Sequence, residues 1–141
     1  MESLITLEKY LSVVLYVARK NKLQDPEVAF GECNNFSFAV AQLGRELGFC
    51  IDVVCVCTKF KQNIHDCKLG DDSHHCLIKI ENTFFDYTMR QFDADSPFPY
   101  ISEKLPEDCL NLSVITFENY SIGGKYAMQI FDRLVKLKLI Y

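Results

Sequence analysis

The chain has 141 residues, 49% of them hydrophobic and 13% aromatic, and a formal net charge of −4 at pH 7. This length suits one compact domain with a sizeable core, so we expect residues 1–141 to form a single domain. The negative charge and the scattered basic residues argue against a nucleic-acid partner. The apolar run over residues 11–18 is much shorter than the ~20 residues of a membrane helix, and no basic segment of a signal peptide precedes it. We therefore expect no membrane partner.

The first half of the chain predicts two helices and one buried strand. A helix is expected over residues 4–21, because apolar side chains recur along one face until the turn signal at residues 24–26. A second helix is expected over residues 33–47, followed by a glycine stop signal. The β-branched residues 51–58 predict a short buried strand. A polar loop over residues 59–73 is expected to overhang a cleft.

The second half predicts a hairpin, an irregular loop, a strand and a closing helix. Residues 75–80 and 84–88 are expected to pair as antiparallel strands around a tight turn. The proline-rich residues 92–106 predict an irregular loop. Residues 112–117 predict a further strand, and residues 126–139 predict a helix. The expected fold class is α+β, with helices packed on a small antiparallel sheet.

The cysteines indicate the redox environment. There are seven, an odd number, and several lie inside apolar patterns. Buried free thiols fit this distribution better than a disulfide framework. Thiols that stay reduced are typical of a reducing compartment, so we expect the protein to act in the cytoplasm. The cysteines in or beside the strand-like segments are Cys50, Cys55, Cys57 and Cys76.

Cys33 lies where a turn at Gly31 runs into the second predicted helix. Unpaired N–H groups and the helix dipole at such a position favour the thiolate, which is the nucleophilic form. A nucleophile of this kind needs a proton carrier and a group that orients that carrier. The candidates downstream are His75 as the base and Asp86 as the orienting carboxylate, which together with Cys33 predict a catalytic triad.

The register of the predicted hairpin decides whether the imidazole and the carboxylate meet. With residues 81–82 as a two-residue loop, Asp86 lies one diagonal step from His75 on the same face of the sheet. A shift of one residue would send the two side chains to opposite faces. Alternation points His74 away from Asp86, so we expect His74 to be dispensable for chemistry.

This pattern resembles the core of the transglutaminase-like branch of the papain-like cysteine enzymes. The resemblance covers residues 28–92 and consists of a cysteine at a helix start, a histidine strand and an aspartate strand. The matching segments are Gly31-Glu32-Cys33, His75-Cys76-Leu77-Ile78-Lys79-Ile80 and Phe84-Phe85-Asp86-Tyr87-Thr88, followed by Arg90-Gln91-Phe92.

The resemblance implies a papain-like or transglutaminase-like core in which Cys33 is the nucleophile, His75 the base and Asp86 the orienting residue. The implied reaction is proteolysis, glutamine deamidation or acyl transfer to an amine, on a protein or peptide substrate and without cofactor or metal. Small members of this superfamily often act as effectors or toxins. The chain has no tryptophan to stand beside the cysteine. The backbone N–H of Cys33 is the nominated oxyanion donor.

A zinc site is one alternative. Imidazole and thiol ligands are close together in the sequence at His65, Cys67, His74, His75 and Cys76. Zinc accepts both kinds of ligand. The segment lacks the usual Cys-x2-Cys or His-x3-His spacing, and adjacent histidines on a strand diverge, which disfavours zinc.

A non-enzymatic module is the other alternative. An inhibitor or immunity-type protein with this negative charge would suit a basic protein partner. Loss of Cys33 separates the two classes, because a binding module keeps its full effect without the thiol and an enzyme does not.

Overall fold

The computed structural model of the protein describes residues 5–58, 74–105, 109–115 and 124–140. These residues form an α+β fold in which helices pack against a five-stranded antiparallel sheet. The predicted fold class is therefore confirmed. The predicted loop over residues 59–73 lies outside the described residues.

Three helices come first among the described elements, five strands follow, and a fourth helix comes last. The helices are α1 (Leu7–Lys20), α2 (Pro26–Ala29), α3 (Cys33–Glu46) and α4 (Lys125–Lys136), with a 3₁₀ turn at Met89–Gln91. The strands are β1 (Ile51–Thr58), β2 (His74–Ile80), β3 (Thr83–Asp86), β4 (Tyr100–Ser102) and β5 (Cys109–Ile115). Among these helices, none combines the length and apolar character that a bilayer crossing requires.

Side-chain caps fix where the first two helices begin. The Thr6 side chain accepts a hydrogen bond from a backbone N–H three residues later, at 3.2 Å, so α1 starts after it and not at the predicted residue 4. The short helix α2 was not predicted. Its cap is Asp25, which accepts from the N–H of Glu27 at 3.0 Å, and Pro26 occupies the first helical position.

The sheet has the strand order β4-β3-β2-β1-β5, and each neighbouring pair is antiparallel. Between β2 and β3 the residue Ile80 pairs with Thr83, so the connection has two residues. The first of them, Glu81, has a φ of 54°, which suits a turn that matches the twist of a hairpin. This is the register predicted from the sequence.

Strand β4 corrects the prediction of an irregular loop over residues 92–106. It pairs with β3, where Phe85 lies opposite Ile101. The strand has three residues and follows two prolines, so it is too short to show a period-two pattern. Strand β5 begins at Cys109, three residues before the predicted start, and α4 ends three residues before the predicted end.

The main core lies between one face of the sheet and the helices. It contains the buried side chains Tyr10, Phe36, Val40, Ile51, Val53, Cys76, Ile78, Ile130 and Leu134. Within it the Tyr10 hydroxyl donates to the Val40 carbonyl at 2.5 Å, which ties α1 to α3. A smaller cluster on the other face of the sheet contains Val54, Val56, Leu77 and Phe84. Helix α3 therefore packs directly over β1 and β2, and its first residue lies near the start of β2.

The described thiols differ in exposure. Cys76 is buried and Cys33 is half-buried, and neither forms a disulfide. Cys50 is exposed, so the expectation of a buried thiol is wrong at this position. The reason is its place in the connection between α3 and β1, ahead of the first strand residue, Ile51.

Candidate active site

The N-terminus of α3 presents Cys33 as its first residue. Gly31 precedes it with a φ of 80°, in the left-handed region that glycine adopts readily, so the chain turns sharply into the helix. The first bond of the helix runs from the Phe36 N–H to the Glu32 carbonyl at 3.0 Å. The N–H of Cys33 lies ahead of that bond and has no acceptor within the helix. This amide is the oxyanion donor nominated from the sequence.

Glu32, the residue before the thiol, is held by α4. Its carboxylate accepts a hydrogen bond from the Tyr126 hydroxyl and lies 4.0 Å from the Lys125 Nζ. Burial and the Glu32 charge raise the pKa of Tyr126, so the hydroxyl keeps its proton and continues to donate. The Glu32 side chain makes no capping hydrogen bond to α3, which leaves the first N–H groups of the helix open beside Cys33.

His75 and Asp86 form a buried pair. The His75 Nε2 lies 2.6 Å from the Asp86 Oδ2, and both side chains are at most 1% exposed. The other carboxylate oxygen, Oδ1, accepts from the N–H of Thr88 at 2.9 Å and from its hydroxyl at 3.3 Å. Both oxygens of Asp86 are therefore engaged, and the carboxylate is fixed against the imidazole.

Two further residues shape the imidazole site, and the sequence reasoning gave neither of them that role. Thr88 orients the carboxylate through the Asp-x-Thr spacing, a local pattern that was visible in the sequence. Phe92 packs edge-on against the His75 ring, with centroids 4.8 Å apart. It lies seventeen positions beyond His75 in an irregular segment, so its contact depends on tertiary packing. The predicted orientation of His74 concerns a side chain outside those described.

The end of the β2–β3 ladder explains how the start of α3 reaches Cys76, the residue next to His75. Strand β3 stops at Asp86, and the last paired residue of β2 on that side is Ile78. Backbone groups of alternate residues point to the same side of a strand, so those of Cys76 point where β3 has ended. There the Cys76 carbonyl accepts from the Ser37 hydroxyl of α3 at 3.3 Å, and the Cys76 N–H donates to the Cys33 sulfur.

The surroundings of Cys33 favour the thiolate. The Cys76 thiol donates to the Cys33 sulfur and makes the largest contribution to lowering its pKa. Burial acts in the opposite direction, and the hydrogen bond and positive charge of His75 lower the pKa further, to about 4. The lowered pKa favours the Cys33 thiolate at neutral pH, as expected for a helix-start cysteine next to a cation.

The surroundings of His75 favour the imidazolium. Burial is the largest influence and lowers the pKa, but the charge of Asp86 and its hydrogen bond outweigh it. The Cys33 sulfur adds a hydrogen bond and a charge of the same sign as the carboxylate, and the pKa of His75 rises to about 10. The lowered pKa of Cys33 and the raised pKa of His75 together favour a thiolate–imidazolium pair at neutral pH.

The alignment of this pair is loose. The Nδ1 atom of His75 is buried and makes no well-aligned hydrogen bond to any residue that the structure describes. The Cys33 sulfur is nevertheless close enough for the two side chains to shift each other's pKa. Cys33 and His75 are therefore close neighbours without a well-aligned hydrogen bond between them.

The pH dependence of alkylation tests the ion pair. We expect the iodoacetamide rate at Cys33 to change little between pH 5 and pH 8, because its lowered pKa keeps the thiolate ionised as the pH falls towards about 4. An ordinary thiol with a pKa near ~8.5 loses roughly 10³-fold in rate over the same range. The exposed Cys50 provides the internal reference. The comparison uses the change of each alkylation rate with pH and not the absolute rates, because a low-pKa thiolate is also a weaker nucleophile. A Cys33 profile parallel to that of Cys50 would contradict the ion pair.

A zinc site was the alternative role considered for the histidines and the nearby cysteines. Across the residues that the structure describes, no three His, Cys, Asp or Glu side chains form a group suited to a metal ion. Two of the ligands considered, His65 and Cys67, lie outside those residues.

Comparison of the chain with protein-family models, with curated proteins and with solved structures finds no match.

Proposed function

We propose that the protein is a thiol-dependent amide hydrolase or acyltransferase with a Cys33–His75–Asp86 triad. The observation that carries the proposal is that the His75 ring is hydrogen-bonded to Asp86 through Nε2 and is close enough to the Cys33 sulfur for the two side chains to shift each other's pKa. A buried carboxylate, an imidazole and an ionised thiol in this sequence are the parts that nucleophilic acyl transfer requires.

The first half-reaction forms an acyl-enzyme. The Cys33 thiolate attacks the amide carbonyl carbon, and the electron pair moves to the oxygen, which the N–H of Cys33 stabilises. As the C–N bond breaks, the imidazolium of His75 gives its Nδ1 proton to the departing amine, because Nε2 is engaged by Asp86. The products are a thioester at Cys33 and a free amine or ammonia.

The second half-reaction releases the acyl group. Water, or a second amine, loses a proton to the neutral His75 and attacks the thioester carbon. The C–S bond breaks, and the thiolate and imidazolium are restored. Proteolysis, glutamine deamidation and transfer to an amine share this pathway and differ in the leaving amine and in the incoming nucleophile.

The proposal includes membership of the transglutaminase-like branch of the papain-like enzymes and action on a protein or peptide as an effector or toxin. The order of the three residues on a helix, a strand and the next strand supports the former. We further propose a cytoplasmic site of action. Cys33, Cys50 and Cys76 form no disulfide, which supports this site of action, because thiols stay reduced in reducing compartments.

Mass spectrometry of peptide and protein mixtures after incubation tests the function. We expect a gain of about 1 Da at glutamine for deamidation, chain cleavage for proteolysis, or crosslinks for transfer, as the shared acyl-enzyme pathway dictates. Cys33→Ala should abolish the product, whereas the matched Cys50→Ala should not. A folded Cys33→Ala protein that retains its full effect on a partner would instead identify a binding or inhibitor module.

A further inference from the structure

Cys76 is a second thiol at the candidate site that the proposed chemistry does not use. It is 1% exposed, and its side chain contacts the half-buried Cys33 through a thiol-to-thiolate hydrogen bond. The Ser37 hydroxyl binds the Cys76 carbonyl one helical turn after Cys33, which holds the start of α3 over this point of β2. The contact between the two sulfurs is therefore built into the packing of the helix on the strand.

We propose that Cys33 and Cys76 are a redox pair, in which a peroxide oxidises Cys33 and Cys76 closes a reversible disulfide with it. A reactive thiolate beside a second cysteine is the usual arrangement of a thiol that is oxidised reversibly. The inference rests on the proposed function, because a disulfide at Cys33 would remove the nucleophile.

The oxidation proceeds in two steps. The Cys33 thiolate attacks one oxygen of hydrogen peroxide, the O–O bond breaks, and the products are a sulfenic acid and hydroxide. The Cys76 sulfur then attacks the Cys33 sulfur, the S–O bond breaks, and the proton of the Cys76 thiol leaves with the hydroxyl group as water. The thiolate and the thiol lose two electrons in total, and one peroxide is reduced to one water and one hydroxide, which takes up a proton from solvent to become the second water.

The geometry favours closure over further oxidation. Two thiols in hydrogen-bond contact need to approach by a distance on the order of 1–2 Å to reach a disulfide bond length. Burial of Cys76 keeps it from reacting with peroxide directly, whereas Cys33 is partly open to solvent. Without a neighbouring thiol, the sulfenic acid at Cys33 would continue to sulfinic acid, which ordinary reductants do not reverse.

The test treats the full chain with a small excess of hydrogen peroxide, because sulfinic acid formation consumes two peroxides per thiol, and maps its peptides by mass spectrometry. We expect a loss of about 2 Da, a disulfide between the Cys33 and Cys76 peptides, and full recovery with dithiothreitol. In Cys76→Ala we expect a gain of about 32 Da at Cys33 that dithiothreitol does not reverse. Cys50→Ser is the matched control, because its thiol is exposed and it precedes Ile51, which pairs with Ile80 at the end of β2 that is remote from Cys76. This variant should behave as the unaltered protein.

The readout separates this inference from the proposed function. A disulfide between Cys33 and any other cysteine, or sulfinic acid at Cys33 in the unaltered protein, would overturn the redox pair even if the protein processes amides. A Cys33–Cys76 disulfide without any amide product would leave the pair intact and overturn the enzymatic proposal. Peptide mapping of the unaltered protein decides the pairing even if Cys76→Ala fails to fold.

Discussion

His75→Ala is expected to lower the rate of product formation by at least about 10³-fold, because it removes the proton carrier of both half-reactions. It also removes the positive charge beside Cys33, so the pKa of the thiol should rise and its alkylation at pH 5 should slow. Both rates are measured on the same preparation, and the alkylation profile reports the thiolate without requiring a substrate.

The controls distinguish chemistry from folding. His75→Ala leaves the buried Asp86 without its cationic partner, which costs about 3–5 kcal/mol in other proteins, so the melting temperature must be measured too. His75→Gln offers Asp86 a neutral N–H donor and carries no transferable proton, and we expect it to fold and remain inactive. His74→Ala is the neighbouring control and should keep most of the activity. Equal losses for His74→Ala and His75→Ala would contradict the assignment of the base.

Asp86→Asn is expected to lower activity by roughly 10²- to 10⁴-fold while the fold survives. The amide oxygen of asparagine can still accept from Thr88, but its NH₂ group would donate to the Nε2 of His75. The imidazole would then carry its proton on Nδ1 as a neutral ring, which can neither accept a proton there nor supply a positive charge to Cys33. The alkylation rate of Cys33 at pH 5 should fall together with the activity.

A second variant at the same position tests the structural role. Asp86→Ala removes the acceptor of both Thr88 hydrogen bonds, so we expect a lower melting temperature than for Asp86→Asn. If Asp86→Asn proves folded and fully active, Asp86 has no part in the chemistry. If both variants unfold, the carboxylate is a structural anchor for the segment after β3.

Features set by local sequence were predictable. The glycine turn at Gly31 fixed the start of α3 at Cys33, and the two-residue loop fixed the pairing of Ile80 with Thr83. Once that register is known, period-two alternation brings His75 and Asp86 to one face of the sheet. The position of the imidazole against the carboxylate therefore follows from about a dozen consecutive residues.

Features set by long-range packing were not predictable. The contact between Cys33 and Cys76 depends on how α3 packs over β2. The pattern of apolar residues shows which faces pack together, but it does not specify which individual side chains touch. Strand β4 exists because β3 offers it an edge, and its three residues carry no periodic signal. The hydrogen bond from Tyr126 to Glu32 joins residues 94 positions apart. Each of these contacts is determined by a second element that lies far away in the sequence.

The contacts between α4 and the start of α3 affect the order in which the site forms during synthesis. The Tyr126 hydroxyl binds Glu32, and its ring packs edge-on against Phe36, with centroids 5.1 Å apart. Helix α4 is the last described element to leave the ribosome. A nascent chain that ends before Lys125 already contains the thiol, the imidazole and the carboxylate, yet it lacks the helix that fixes the residue before Cys33. The contact that fixes the start of α3 therefore forms only after the residues that carry the thiol, the imidazole and the carboxylate have all been synthesised.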